Sequence, residues 1–151
     1  QIFLMLAMWK GVTSVLSIPA GILSDRIGRN RVIRAGWLVY ALVYLGFGLA
    51  TQTWQVWALY ALYGVYYAMT DGVASALVAD LVPESEKRGT AFGLYNAAVG
   101  VSALPASLIA GILWQHINPS APFFFGSALA FIAMLALTAL MRASGRTPAA
   151  A

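Results

Sequence analysis

Charged side chains are scarce in this sequence, and two of them, Lys10 and Asp71, stand inside long apolar stretches. Lys10 lies fourteen residues before the end of the first stretch, and Asp71 ten before the end of the third. A charge at the centre of a bilayer costs on the order of 2.5–3.5 kcal/mol on insertion scales. Each should therefore face protein or a water-filled cavity. Two readings follow: the pair serves a solute or proton pathway, or Lys10 and Asp71 neutralise each other as a structural pair.

The surroundings of the two charges bear on that choice. Lys10, Thr13, Ser14, Ser17 and Gly21 recur at three- and four-residue steps, which gives one helix face that is polar or small. In the third stretch the corresponding face carries Tyr60, Tyr63, Gly64, Tyr67, Asp71 and Ser75. Tyr63 and Tyr67 leading to Asp71 could line a route for an amphipathic or cationic solute, through ring faces and hydroxyls. Helix packing would use the same stripe, with Tyr60 as an interfacial anchor. Asn96 is an amide deep in the fourth stretch, able to bind solute or to bond across helices. His116 stands alone in a connection, and the chain has no cysteine. With no metal-ligand spacing, no phosphate-binding Gly-Lys loop and no Ser-His-acid set, neither cofactor nor metal is expected, and no catalytic residue.

The elements that must position these residues are read from composition. Of 151 residues, 61% are hydrophobic and 9% charged; soluble domains run near ~45–50% and ~25%. No Asp, Glu, Lys or Arg occurs between Ala35 and Thr70, or between Gly89 and Met141. Such runs read as membrane spans and argue against a soluble enzyme. Five segments reach the ~20 residues a span needs: 2–24, 32–50, 55–81, 90–114 and 123–141. Their length predicts helices, because lipid leaves backbone groups no partners outside a helix or a closed barrel. Turn chemistry marks the connections at Thr51–Thr53, Pro83–Glu86 and Asn118–Ser120, and residues 143–151 are expected to be a disordered tail. Gly93, Ala97, Gly100, Ala103, Ser107 and Gly111 form a small-residue stripe that predicts close packing of the fourth helix. Pro105 should kink that helix.

The loop charges set an orientation. Arg26, Arg29, Arg31 and Arg34 cluster in the first connection, Lys87 and Arg88 in the third, Arg142 and Arg146 in the tail. The second and fourth connections have no Lys or Arg. The positive-inside rule then places the first and third connections and the C-terminus in the cytoplasm, with Trp54, Trp57 and Trp114 near the outer interface. The net charge of +4 is explained by these loops, and nucleic acid is not an expected partner. Residue 1 falls outside without a signal-like segment, so the reading predicts further helices upstream.

The first connection reads Gly21-Ile22-Leu23-Ser24-Asp25-Arg26-Ile27-Gly28-Arg29-Asn30-Arg31. Gly28 permits a very short turn at positive φ, Gly21 a close helix approach, and Asp25 is the one acid among four arginines. Here the sequence resembles the major facilitator superfamily, whose loop signature is G-x-x-x-D-R-x-G-R-[RK]. Gly21, Asp25, Arg26, Gly28 and Arg29 match, and Asn30 departs, with the basic residue displaced to Arg31. The stretch Pro83–Gly93, followed by Pro105 and Gly111, resembles the entry to the fifth helix of a half. The resemblance implies an all-α integral membrane fold, a partial major-facilitator bundle of helices eight to twelve. It further implies alternating-access transport of a small solute, a drug or metabolite, with a proton as candidate coupling ion. The bacterial-type inner membrane would be its place, and the missing N-terminal half its partner. The matched loop residues would then act in conformational switching. A non-transporting scaffold or receptor on the same fold is separated from a transporter by little beyond Lys10 and Asp71. A membrane enzyme lacks its chemistry here.

Overall fold

The computed structural model describes residues 2–82 and 84–144. They form five helices and, among the described residues, no strand: α1 (Ile2–Ile27), α2 (Arg29–Leu49), α3 (Thr53–Leu81), α4 (Ser85–His116) and α5 (Ala121–Ser144). At ~1.5 Å per residue each exceeds the ~30 Å hydrocarbon core of a bilayer. The helices overrun the apolar segments because their backbone bonding continues past the last apolar side chain. Thus α1 carries Asp25 and Arg26 in its final turns, and α4 begins at Ser85 inside the expected turn, with Glu84 as its N-cap and Glu86 in its first turn. An acid there is favoured by the helix dipole. α5 runs to Ser144, so the first two residues of the expected disordered tail are helical; 145–151 lie outside the described residues. α4 is one helix through Pro105, and α1 likewise through Pro19.

Four helices, α1, α2, α4 and α5, are long and apolar enough to cross a membrane. α3 matches them in length but not in hydropathy. Its tyrosines and Asp71 lower the average, and most of those side chains turn toward neighbouring helices.

Glycines let the helices approach closely and reveal their directions. A Cβ at Gly64 on α3 would lie 2.8 Å from Val12 Cβ and 3.0 Å from the Trp9 carbonyl on α1. Thr13 Oγ1 donates to the Gly64 carbonyl at 3.3 Å. Near the other end of the same pair, Arg29, two residues past the end of α1, reaches Asp80 on α3; α1 and α3 therefore run parallel. Gly36 on α2 meets Thr70, and Gly46 meets Leu59, so α2 is antiparallel to α3. Gly48 meets Phe124, Gly126 meets Tyr44, and Ser127 Oγ donates to the Ala41 carbonyl at 2.7 Å, which sets α5 antiparallel to α2. Between these helices Val32, Ile33 and Val73 are buried against Trp37, Met69, Leu77 and Leu137.

α4 is different. It touches only α3 and α5, and lightly, and buries no residue. A Cβ at Gly93, Gly100 or Gly111 would meet nothing within 4 Å. The small-residue stripe is thus not a packing face within this chain, contrary to the expectation.

Candidate functional site

The joint between α1 and α2 is a single residue. Gly28 takes φ +95°, a region that L side chains rarely enter. Its N–H donates to the Ser24 carbonyl at 3.0 Å and its carbonyl accepts from Arg31 N–H at 3.1 Å, so it closes one helix and opens the next. That turn sets Arg29 between two carboxylates. Arg29 Nε lies 2.9 Å from Asp80 Oδ2, and Arg29 Nη2 lies 3.6 Å from Asp25 Oδ1. Three helix ends are thereby joined through one guanidinium, since Asp25 closes α1, Arg29 opens α2 and Asp80 stands in the last turn of α3. Arg26 makes no ion pair among the described residues and is exposed, as is Arg31. Gly21 makes no close helix approach: a Cβ there would meet nothing within 4 Å. Its carbonyl accepts from Ser24 Oγ instead. Asp80 was not singled out from sequence. The available signal was its position, an acid at the end of the third segment, level with the arginines of the first connection.

Further into the bundle lies an aromatic cluster spanning four helices. Trp9 packs edge-on to Tyr67 at 5.0 Å, Tyr67 to Tyr63 at 5.1 Å, Tyr66 lies 4.8 Å from Tyr40, and Tyr40 stacks on Tyr44 at 4.1 Å. Tyr44 continues to Phe123 on α5 at 5.8 Å. Much of the tyrosine stripe therefore is packing, the plainer of the two roles open to it. Trp9 Nε1 is buried there without an acceptor among the described residues.

Two cavities flank the cluster and share Trp37 and Tyr66 as a common wall. One, of about 460 Å³, opens between α2, α3, α4 and α5 and is lined by Asp71, Tyr67, Thr70 and Tyr95 among others. The second, of about 530 Å³, is lined by Tyr40, Tyr44, Pro105 and Phe125 with further apolar side chains. Of the candidate pathway residues, Tyr67 and Asp71 share the first cavity. Tyr63 lines a third with Phe47 and Phe123, while Lys10 and Asn96 are exposed and line neither of the first two.

Lys10 and Asp71 form no ion pair. Lys10 Nζ sits 4.4 Å from the ring centroid of Trp9, a cation–π contact within its own helix. Gly64 abuts Trp9, and Asp71 follows Gly64 by two turns of α3, ~10 Å along the axis. The Asp71 carboxylate accepts no hydrogen bond and makes no ion pair among the described residues; Ser75 Oγ donates to the backbone carbonyl of Asp71 instead.

The sequence that builds this arginine turn and bundle matches a known family. The Major Facilitator Superfamily model matches residues 1–151. The chain belongs to that superfamily. It is 48% identical over 124 residues to an uncharacterised MFS-type transporter of Methanocaldococcus jannaschii, covering 82% of this chain and 31% of that protein. It is 30% identical to the class E tetracycline resistance protein of Escherichia coli, over 87% of this chain and 32% of the relative. It is 31% identical to multidrug resistance protein 2 of Bacillus subtilis, over 88% and 33%. No solved structure matches significantly. The chain spans about a third of the length of these relatives. It is an integral, multi-pass membrane protein of a transporter superfamily.

Proposed function

We propose that this MFS chain is the C-terminal part of a secondary transporter that moves a small solute, a drug or metabolite, by alternating access in a plasma membrane of bacterial type. A proton is the coupling ion in this proposal. The observation that carries it is the Arg29 clamp. Rocking of helical bundles needs each bundle to move as a body, and one guanidinium held by Asp25 and Asp80 ties three helix ends together. Drug and tetracycline resistance in the names of two relatives supports export of a drug-like solute. The open face of α4 supports a partner in the remainder of a longer protein. The arginine-rich end and the C-terminus are cytoplasmic in this reading, and Gly21, Asp25, Arg26, Gly28 and Arg29 serve conformational cycling. Asp71 and Tyr67 touch the solute or proton; Lys10, Tyr63 and Asn96 stand along the same route.

Uptake or efflux in vesicles tests the proposal. The longer transporter containing this segment should carry solute, and the 151 residues alone should not. Asp25→Asn in the longer protein should lower turnover several-fold while equilibrium affinity changes less than severalfold. A large loss of affinity at normal turnover would move Asp25 into the binding site, and full transport by the 151 residues alone would refute the half-transporter reading.

A further inference from the structure

The cavity beside Asp71 combines features that select one class of ligand. Asp71 is the single charged residue in its lining, and no basic side chain reaches it. Lys10, the one cation deep in a neighbouring helix, is two turns away and engaged with Trp9. The carboxylate has no hydrogen-bond or ionic partner among the described residues. Trp37, Tyr66, Tyr67 and Tyr95, contributed by α2, α3 and α4, line the same cavity, and Asp71 itself is exposed. The rest of the wall is chiefly apolar, Leu77 and Leu137 among it, and Thr70 already spends its hydroxyl on the Tyr66 carbonyl at 2.8 Å.

We infer that this cavity binds a lipophilic organic monocation, held by the Asp71 carboxylate and by the faces of Trp37, Tyr66, Tyr67 and Tyr95. Its volume of about 460 Å³ lies in the range of drug-sized sites, which are largely apolar with a few placed polar groups. A cation within about 6 Å of an aromatic face gains from the ring quadrupole, most where water is excluded. An anion would meet an uncompensated carboxylate. A bare divalent metal wants six or more oxygens, and no group of three His, Cys, Asp or Glu exists among the described residues. A neutral solute would leave the charge unused and unpaired. The inference deepens the transport proposal and rests on it for the route by which the cation leaves.

Equilibrium binding to the protein in phosphatidylcholine nanodiscs tests it, with empty discs subtracted. The probes are radiolabelled tetraphenylphosphonium and tetraphenylborate, nearly equal in size and apolarity but opposite in charge. Tetraphenylphosphonium should bind saturably and tetraphenylborate should not. Asp71→Asn should weaken the cation at least ten-fold, and Asp71→Glu should stay within severalfold of the unmodified protein. Trp37→Leu, which keeps the wall apolar and removes the ring, should weaken it two- to ten-fold. Saturable tetraphenylborate binding, or equal cation affinity in Asp71→Asn and the unmodified protein, would overturn the inference. The comparison of the two probes decides even if Asp71→Asn fails to fold. Solute transport by the longer protein without tetraphenylphosphonium binding removes the cation assignment and leaves transport standing. Binding without transport of any solute does the reverse.

Discussion

Arg29 Nε lies 2.9 Å from Asp80 Oδ2, so the first residue of α2 is fastened to the last turn of α3 across the arginine-rich end of the bundle. Asp25 approaches the same guanidinium from α1 at 3.6 Å. The shorter contact is to the acid that lies 51 residues away in sequence, not to the acid within the loop.

Removing that contact should have a small, salt-dependent effect on stability. The side chains of Arg29 and Asp80 are 24% and 54% exposed, which places the pair among partly solvated bridges worth about 0.2–1 kcal/mol. Asp80→Asn should destabilise the helical bundle by that amount in thermal unfolding at low salt. In 1 M NaCl the difference should shrink, because the Debye length falls to about 3 Å. A salt-insensitive loss above about 2 kcal/mol would mean that Asp80 does more than pair with Arg29.

Two glycines on α3 should respond in opposite directions. Gly64→Ala puts a Cβ 2.8 Å from Val12 Cβ and 3.0 Å from backbone of α1, which the helices can relieve only by separating. Overpacking of this kind costs about 1–3 kcal/mol. At Gly72 a Cβ meets nothing within 4 Å, so Gly72→Ala should raise stability by about 0.5–1 kcal/mol through helix propensity. Unfolding measured in the same detergent checks both, and equal effects would contradict the α1–α3 register.

The open side of α4 gives a comparison between two lengths of chain. Gly100→Leu should leave the thermal stability of the 151 residues unchanged, since nothing lies within 4 Å of that position. In the longer transporter the same change should lower stability or expression clearly, as the stripe becomes a contact between helices. No difference between the two backgrounds would show that this face remains open.

The proposed orientation is tested with cysteines, because the chain has none of its own. Ser120, beside the Asn118 turn that caps α5, and Ser85, the exposed first residue of α4, lie at opposite ends of the bundle. In intact cells Ser120→Cys should react with an impermeant thiol reagent and Ser85→Cys should react only after permeabilisation. The opposite pattern would invert the topology.

The helices were legible in the sequence because each apolar run is long, almost free of charge and bounded by turn residues. The Gly28 joint was legible too, since an Asp-Arg-x-Gly-Arg run between two spans leaves few other ways to turn. What escaped were relations between distant residues. Asp80 looks like any acid at a membrane surface until α3 is laid parallel to α1, and no periodicity within α3 reports that register. Lys10 and Asp71 looked like natural partners because both are charges in spans. The helices set them two turns apart: Lys10 meets the ring of Trp9, and Asp71 lines a cavity that Lys10 does not reach. The small residues on α4 are plain in the sequence, but which surface they face is not, and none of the described helices approaches Gly93, Gly100 or Gly111. Trp37 and Tyr95 went unnoticed because only the fold brings them, from α2 and α4, into one cavity with the tyrosines of α3.

Gly28 also constrains how the chain enters the membrane. A joint of one residue gives α1 and α2 no slack, so the two cannot be threaded by the insertion machinery as separate units; they must arrive as a hairpin. Yet α1 and α2 touch each other far less than each touches α3. α3 fills the gap between the hairpin's arms, with its Gly64 meeting α1 and its Thr70 meeting Gly36 of α2. The tyrosine-rich helix is thus the one that holds the hairpin's two arms together.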